Sequence, residues 1–244
     1  MKISFIVPAF NEALWIESCL HSIASAVEEC GHSRHSDFVS ELVVVDNNST
    51  DDTGQRAQNA GARVVFEPVN HISRARNTGA KAATGDWYIF VDADSQLSAG
   101  LLSDVLAMIE NGDHLGCGSL VAMSGMPRST RWLLSFWSWV SKNLHWAAGS
   151  FVVCRADVFS TLGGFSEDLF VAEEIEFSRR VKRYANEQKK KFVVLRDHPI
   201  RTSNRKTELY SSKELYAQLI RLVLRPRKTM TDKAALDVWY GGRR

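Results

Sequence analysis

The first 112 residues alternate short apolar runs with amphipathic stretches, and this alternation restricts the fold more than any other feature of the sequence. Runs that are apolar throughout are typical of strands buried on both faces, and the stretches between them have helical periodicity. The pattern predicts an α/β fold with a mostly parallel sheet covered by helices. The predicted strands are 3–7, 42–45, 63–66 and 87–91, and the predicted helices are 12–29, 53–60, 73–83 and 101–110.

The second half of the chain is less regular, but it contains no Pro/Gly/Ser-rich linker that would divide it. We therefore expect a single domain over 1–225 and a tail over 226–244. The further predicted strands are 115–123, 151–154 and 192–195, and the further predicted helices are 131–146, 173–184 and 206–225.

Composition excludes several classes of protein. Of the 244 residues, 45% are hydrophobic and 24% are charged, which is ordinary for a globular domain and excludes a disordered chain or a coiled-coil rod. A net charge of +2 gives no electrostatic case for nucleic acid. The four cysteines form no CxxC pair, and Cys19 and Cys154 lie in apolar runs, so we expect core residues of a reducing compartment.

The expected location is cytoplasmic. The chain runs from Met1 directly into a strand pattern, without the basic start or cleavage site of a secretory leader. It also lacks the stretch of about 20 uncharged apolar residues that a membrane-spanning helix requires.

Polar residues follow three of the predicted strands, at 8–12, 46–48 and 92–94. Ligands bind at the carboxyl ends of the strands in parallel sheets, so these residues mark a candidate site. Asp92 and Asp94 could converge on one Mg²⁺ or Mn²⁺, since such cations prefer carboxylate oxygens, or they could only cap a turn. Asp46 could accept hydrogen bonds from a nucleobase or ribose, or it could only support its turn.

Four motifs occur in an order that resembles the family 2 glycosyltransferases of the GT-A fold: 7–12, 44–53, 75–79 and 83–94. The resemblance covers about residues 1–180. It implies a UDP- or GDP-linked sugar donor, Mn²⁺ or Mg²⁺, and transfer with inversion at the anomeric carbon. It also implies a Rossmann-like half over 1–112 that binds the nucleotide sugar and a half over 113–225 that holds the acceptor and the catalytic base.

The resemblance implies roles for individual residues as well. The residues that would line the nucleotide pocket are Pro8, Ala9, Phe10 and Glu12. Asp46 would contact the base, and Arg76 would lie near the donor. Asp92 and Asp94 would be the carboxylates that bind the metal and the sugar nucleotide.

Inversion requires a base that takes the proton of the acceptor hydroxyl, and a carboxylate can do this. After Gly163-Gly164-Phe165, the family usually has Glu-Asp, whereas this sequence has Glu173-Glu174. The matching base is then Glu174, and its extra methylene lengthens the side chain. The alternative is a helix start that is acidic because of the helix dipole, which explains Glu173 alone.

Two later segments have more than one interpretation. His198 could be a further metal ligand, as in some GT-A enzymes, or a hydrogen-bonded loop residue. Arg201 and Arg205 could clamp the pyrophosphate, because guanidinium groups match phosphate oxygens, or they could be solvated.

The segment 132–146 contains four tryptophans beside Arg128 and Arg131. It could pack over the acceptor side of the sheet, or it could contact a membrane peripherally, since tryptophan suits the headgroup region. The expected function is metal-dependent inverting sugar transfer to a glycan or lipid-linked acceptor in cell-surface glycan or glycolipid synthesis. The alternative is a non-catalytic sugar-nucleotide-binding or scaffold protein of the same fold.

Overall fold

The computed structural model describes residues 1–33, 38–123, 150–204, 230–232 and 236. Its elements in chain order are β1 (Lys2–Ala9), α1 (Ile16–Ser33), β2 (Val39–Asp46), α2 (Thr53–Asn59), β3 (Arg63–Phe66), α3 (Ile72–Ala82), β4 (Trp87–Val91), β5 (Ser95–Gln96), α4 (Ala99–Asn111), β6 (His114–Met123), β7 (Phe151–Arg155), α5 (Ala156–Thr161), α6 (Glu173–Glu187) and β8 (Lys191–Thr202). The predicted helices at 131–146 and 206–225 lie outside the described residues.

The described strands form one eight-stranded sheet in the order β3-β2-β1-β4-β7-β6-β8-β5. Its first four strands are all parallel, and every residue of β4 is buried. The continuous apolar runs therefore correspond to strands covered on both faces, as the sequence predicted. Ala9 lies opposite Asp46, so the ends of β1 and β2 meet at the same edge of the sheet.

The other half of the sheet is mixed, so among the described strands four pairs are parallel and three are antiparallel. Strand β7 is antiparallel to both of its neighbours, β4 and β6. The start of β7 lies beside the end of β4, where the Asp92 N–H donates to the Ser150 carbonyl at 3.2 Å. A strand that starts beside the end of its neighbour must run in the opposite direction.

Strand β8 is three times as long as the predicted strand 192–195. It pairs with β6 over 191–195 and again over 200–202, with a register shift between Ser119 and Val121 where residues 196–199 are skipped. The charged stretch 196–198 concealed this strand in the sequence, because its side chains are exposed. Strand β5 and helix α5 were not predicted.

The core lies on both faces of the sheet. On one face, a first cluster of buried hydrophobic side chains includes residues of α1 and α4. On the other face the second cluster includes Phe90, Phe159, Phe165 and Phe177, whose rings pack at centroid distances of 4.5 Å (Phe165–Phe177) and 5.0 Å (Phe90–Phe165). These rings hold the segment between α5 and α6 against β4.

The four cysteines are buried, and none forms a disulfide within the described part of the chain. No helix among the residues described is both long enough and apolar enough to cross a membrane.

Candidate active site

Two loops at the carboxyl edge of the sheet are joined by hydrogen bonds. The loop after β1 donates from the Asn11 N–H to Ser49 Oγ (3.0 Å) and from the Glu12 N–H to Thr53 Oγ1 (2.7 Å). In return, the Thr50 N–H donates to Asn11 Oδ1 at 2.7 Å. Asn11 has a left-handed backbone (φ 53°), which asparagine adopts more readily than most residues. The loops after β1 and β2 therefore form one unit.

The residues expected to line a nucleotide pocket lie at this edge. Pro8 and Ala9 are buried at the end of β1, Phe10 is half-buried, and Glu12 is buried. Asp46, at the end of β2, is half-buried, and its Oδ1 accepts a hydrogen bond from the Ser49 N–H at 2.9 Å. Asp46 thus supports its turn, one of the two roles considered. Its contact with a base stays a prediction.

Asp92 and Asp94 follow β4 and are both partly exposed, whereas Ala93 between them is buried. Asp94 joins the end of β8 to the site: its Oδ2 accepts from Ser203 Oγ at 2.6 Å, and its Oδ1 accepts from Thr202 Oγ1 at 3.3 Å. The second carboxylate is therefore held by residues from the other half of the chain.

Arg201 precedes these residues and is exposed, with its backbone opposite Gln96. Arg205 lies outside the described residues. The diphosphate clamp proposed for these two arginines stays a prediction.

Arg76, on α3, is the largest polar group buried in this region, with 2% of its side chain exposed. One of its terminal nitrogens donates to Asp92 Oδ1 at 2.9 Å, and the other pairs with Glu173. The Phe165 ring lies 5.2 Å from its guanidinium carbon. Burial opposes the charge, but the adjacent carboxylates raise the pKa of Arg76, so it remains a cation.

The acidic pair opens helix α6. Glu173 is buried and Glu174 is partly buried. Burial raises the pKa of both carboxyls, and the neighbouring charge of Glu173 helps raise the pKa of Glu174 to about 8. One guanidinium cannot neutralise Asp92, Glu173 and Glu174 together, which favours the protonated form of Glu174.

The structure does not bring His198 together with Asp92 and Asp94. The imidazole Nδ1 of His198 lies 2.9 Å from Asp104 Oδ2 on α4, and its ring packs over Gly100. Within the described ranges, no three His, Cys, Asp or Glu side chains are grouped closely enough to hold a metal ion. The ring of His198 packs against α4 because β8 extends past residue 195, which the sequence did not reveal.

Sequence reasoning assigned no role to Asn77 or Arg180. The Asn77 side chain binds the backbone of Phe165, and Arg180 donates to the carbonyls of Leu162 and Gly164, both at 2.7 Å. Asn77 lies in the motif 75–79, so its place in that motif was the available signal.

Comparison with known proteins supports the resemblance. Residues 4–169 match the family model described as glycosyl transferase family 2. Over 130 residues the chain is 29% identical to dolichol-phosphate mannosyltransferase of Pyrococcus furiosus, covering 51% of this chain and 35% of that protein. Over 118 residues it is 38% identical to a PGL/p-HBAD biosynthesis glycosyltransferase of Mycobacterium tuberculosis, covering 46% and 42%. The chain thus spans less than half the length of these two relatives.

Solved structures share the fold. TarS 1-349 of S. aureus has a TM-score of 0.63 and 21% identity, over 100% of this chain and 71% of that one. The mannosyltransferase PcManGT of Pyrobaculum calidifontis, in complex with GDP-Man and Mn²⁺, has a TM-score of 0.64 and 18% identity, over 98% and 68%. Since the family model covers more than half of the chain and the fold agrees, this chain belongs to glycosyl transferase family 2.

Proposed function

We propose that the chain transfers a sugar from a nucleoside diphosphate sugar to an acceptor hydroxyl, with inversion at the anomeric carbon and with a divalent cation. One observation carries this proposal: the buried Arg76 pairs with Asp92 at the end of β4 and with Glu173 at the start of α6. The Arg76 guanidinium therefore links a carboxylate suited to binding the donor with an acidic pair suited to proton transfer.

The donor set fits Mg²⁺ or Mn²⁺. Asp92 and Asp94 offer hard carboxylate oxygens from one short segment, and the Asp92 side chain is 32% exposed. Mg²⁺ is commonly held by one or two carboxylates together with substrate phosphates and water, so a third protein ligand is not required. A bound cation would stabilise the charge that develops on the leaving diphosphate. The complex of the similar PcManGT with GDP-Man and Mn²⁺ is consistent with this assignment.

The nucleotide is proposed to lie at the ends of β1 and β2. Pro8, Ala9 and Phe10 would contact the base or ribose, and Asp46 would accept a hydrogen bond from the base. The hydrogen bonds between the two loops favour this role, because they hold the pocket in shape before the ligand arrives. Residues 1–112 would thus bind the donor, and 113–225 the acceptor.

The general base is proposed to be Glu174. Glu173 is committed to its ion pair with Arg76, whereas Glu174 is partly exposed and has a pKa raised to about 8. A base accepts a proton most effectively when its pKa lies near the working pH. In its ionised form Glu174 would take the proton of the acceptor hydroxyl as the sugar is transferred.

The acceptor is proposed to be a glycan or lipid-linked hydroxyl. The tryptophan-rich segment 132–146, which could bring the chain to a membrane, lies outside the described residues, and its membrane contact stays a prediction.

A panel of UDP- and GDP-sugars with Mn²⁺ tests the proposal, with release of the nucleoside diphosphate as the measurement. We expect Mn²⁺-dependent release from one donor class. Binding of a nucleotide sugar without hydrolysis or transfer, from any donor in the panel, would favour the non-catalytic alternative.

A further inference from the structure

We propose that Asn77 is a positioning residue for the transfer reaction, acting through Phe165 and Arg76. This inference rests on the proposed function. The donor carboxylates lie at the end of β4, whereas the proposed base lies on the segment 163–174. The distance between these carboxylates and the base depends on how this segment is held against the sheet. Helix α3 supplies the contacts that hold it.

The amide of Asn77 binds both backbone polar groups of one residue. Its Oδ1 accepts from the Phe165 N–H at 2.9 Å, and its Nδ2 donates to the Phe165 carbonyl, also at 2.9 Å. The same Nδ2 lies 3.2 Å from Glu167 Oε1. Asn77 is only 8% exposed, so water cannot easily replace its amide as the partner of the Phe165 N–H and carbonyl. The position and the orientation of Phe165 are both fixed as a result.

Phe165 in turn contacts the two parts of the site that must be aligned. Its ring lies 5.2 Å from the guanidinium carbon of Arg76 and 4.5 Å, centroid to centroid, from the ring of Phe177 on α6. Arg76 pairs with Asp92 and Glu173. A shift of Phe165 would therefore move α6 and the ion pair relative to the end of β4.

A matched control lies on the same helix. Ser73 is buried as well, and its Oγ donates to the Leu169 carbonyl at 3.2 Å, in the same segment. This bond does not involve Phe165. A Ser73→Ala variant thus removes one buried hydrogen bond from α3 to the segment while leaving the support of Arg76 intact.

The experiment compares Asn77→Ala, Ser73→Ala and the wild type by three measurements: thermal stability, calorimetric affinity for UDP or GDP with Mn²⁺, and kcat at saturating donor sugar. We expect Asn77→Ala to lower kcat by about 10²-fold, the size expected for a misplacement of about 1 Å. Its nucleotide affinity should stay near that of the wild type, because the proposed pocket belongs to β1, β2 and β4. Ser73→Ala should keep the kcat of the wild type.

A double-mutant cycle tests the route through Phe165. If Asn77 acts by fixing this ring, then Phe165→Leu already removes the effect, and the double variant should be no slower than the slower single variant. Multiplied losses of kcat would overturn the route. Should Asn77→Ala not fold, Asn77→Asp, which keeps the acceptor for the Phe165 N–H, replaces it in the same cycle.

The outcomes separate the two proposals. If the wild type neither binds UDP or GDP nor cleaves a donor sugar, the proposed function is overturned, and the positioning role is overturned with it. A wild type that turns over, with Asn77→Ala equally fast or with Ser73→Ala equally impaired, overturns the positioning role alone. Equal losses of kcat and of nucleotide affinity in Asn77→Ala would also overturn it, since they indicate general damage.

Discussion

At the scale of single residues, the two adjacent glutamates of the site differ in what surrounds them. Glu173 is buried and pairs with Arg76, and removing one partner of a buried ion pair leaves the other charge uncompensated. Glu174 is only partly buried, and burial together with the charge of Glu173 raises the pKa of its carboxyl to about 8. Substitution of each residue should therefore have a different kind of effect.

We expect Glu174→Gln to lower turnover by about 10²–10⁴-fold, the contribution of a positioned base. Nucleotide affinity should change little, and near pH 5 the free energy of unfolding should change little as well. Glu173→Gln should instead lower the free energy of unfolding by about 3–5 kcal/mol, measured with denaturant. A Glu173→Gln variant that is stable but more impaired in turnover than Glu174→Gln would identify Glu173 as the base.

The raised pKa of Glu174 also predicts a pH dependence of stability. The folded state holds this proton up to a pH of about 8, whereas an ordinary glutamate releases it near 4.5. The protonated Glu174 carboxyl therefore contributes fully to stability below pH 4.5, and this contribution is lost as the pH rises through 8. In the absence of ligand, Glu174→Gln should therefore have a higher melting temperature than the wild type at pH 9, because the amide stays neutral.

At pH 5 the two proteins should melt at similar temperatures. Calorimetry at the two pH values provides the measurement, and a constant difference across the pH range would contradict the assigned pKa.

At the scale of elements, α3 supports the segment that leads into α6. Three buried polar residues of this helix, Ser73, Arg76 and Asn77, all bond to the segment 163–173. Arg180, on α6, binds the start of the same segment at the Gly164 carbonyl and the residue just before it at the Leu162 carbonyl. The glycines at the start of the segment allow this approach.

Gly163 and Gly164 provide a matched pair for testing this contact. Both have positive φ angles, 75° and 73°, so alanine at either position costs about 1–2 kcal/mol. A Cβ on Gly164 would lie 2.6 Å from Asn77 Oδ1, whereas a Cβ on Gly163 would meet nothing within 4 Å. Gly164→Ala should thus be less stable than Gly163→Ala by about 1–3 kcal/mol in denaturant unfolding, the usual cost of overpacking. Equal values would show that the segment yields easily.

At the scale of the whole molecule, the sheet brings both halves of the chain to one edge. Asp94 follows β4, and the hydroxyls that bind it follow or end β8, more than 100 positions later in the sequence. Ligands at this edge should therefore stabilise the whole domain rather than one half of it.

We expect Mn²⁺ with the cognate nucleoside diphosphate to stabilise the wild type by about 2.7 kcal/mol at a concentration of 100 times Kd, seen as a higher melting temperature. Asp94→Asn should lose the Mn²⁺-dependent part, because an amide is a poorer ligand than a carboxylate. Asp104→Asn is the control, since it removes a carboxylate that holds His198 instead. If Asp104→Asn loses the effect and Asp94→Asn does not, the metal lies at α4.

Much of the first half could be predicted from the sequence alone. The bounds of β3 and β4 agree with the predicted strands 63–66 and 87–91. Helix α2 differs from its prediction by one residue at one end, and α3 by one residue at each end. This agreement has a local cause, since helical periodicity and continuous apolar runs are properties of neighbouring residues. Asp46, Asp92 and Asp94 could be placed at one edge for the same reason, because parallel strands end on the same side.

Only the tertiary structure decided which distant groups meet. The direction of β7 follows from where the chain re-enters the sheet, and the partner of His198 follows from the register of β8 on β6. The pairing of Arg76 with Glu173 joins residues 97 positions apart. Periodicity and propensity carry no information about such contacts, because their geometry depends on the packing of α3 and α6 against the sheet, which many residues determine together.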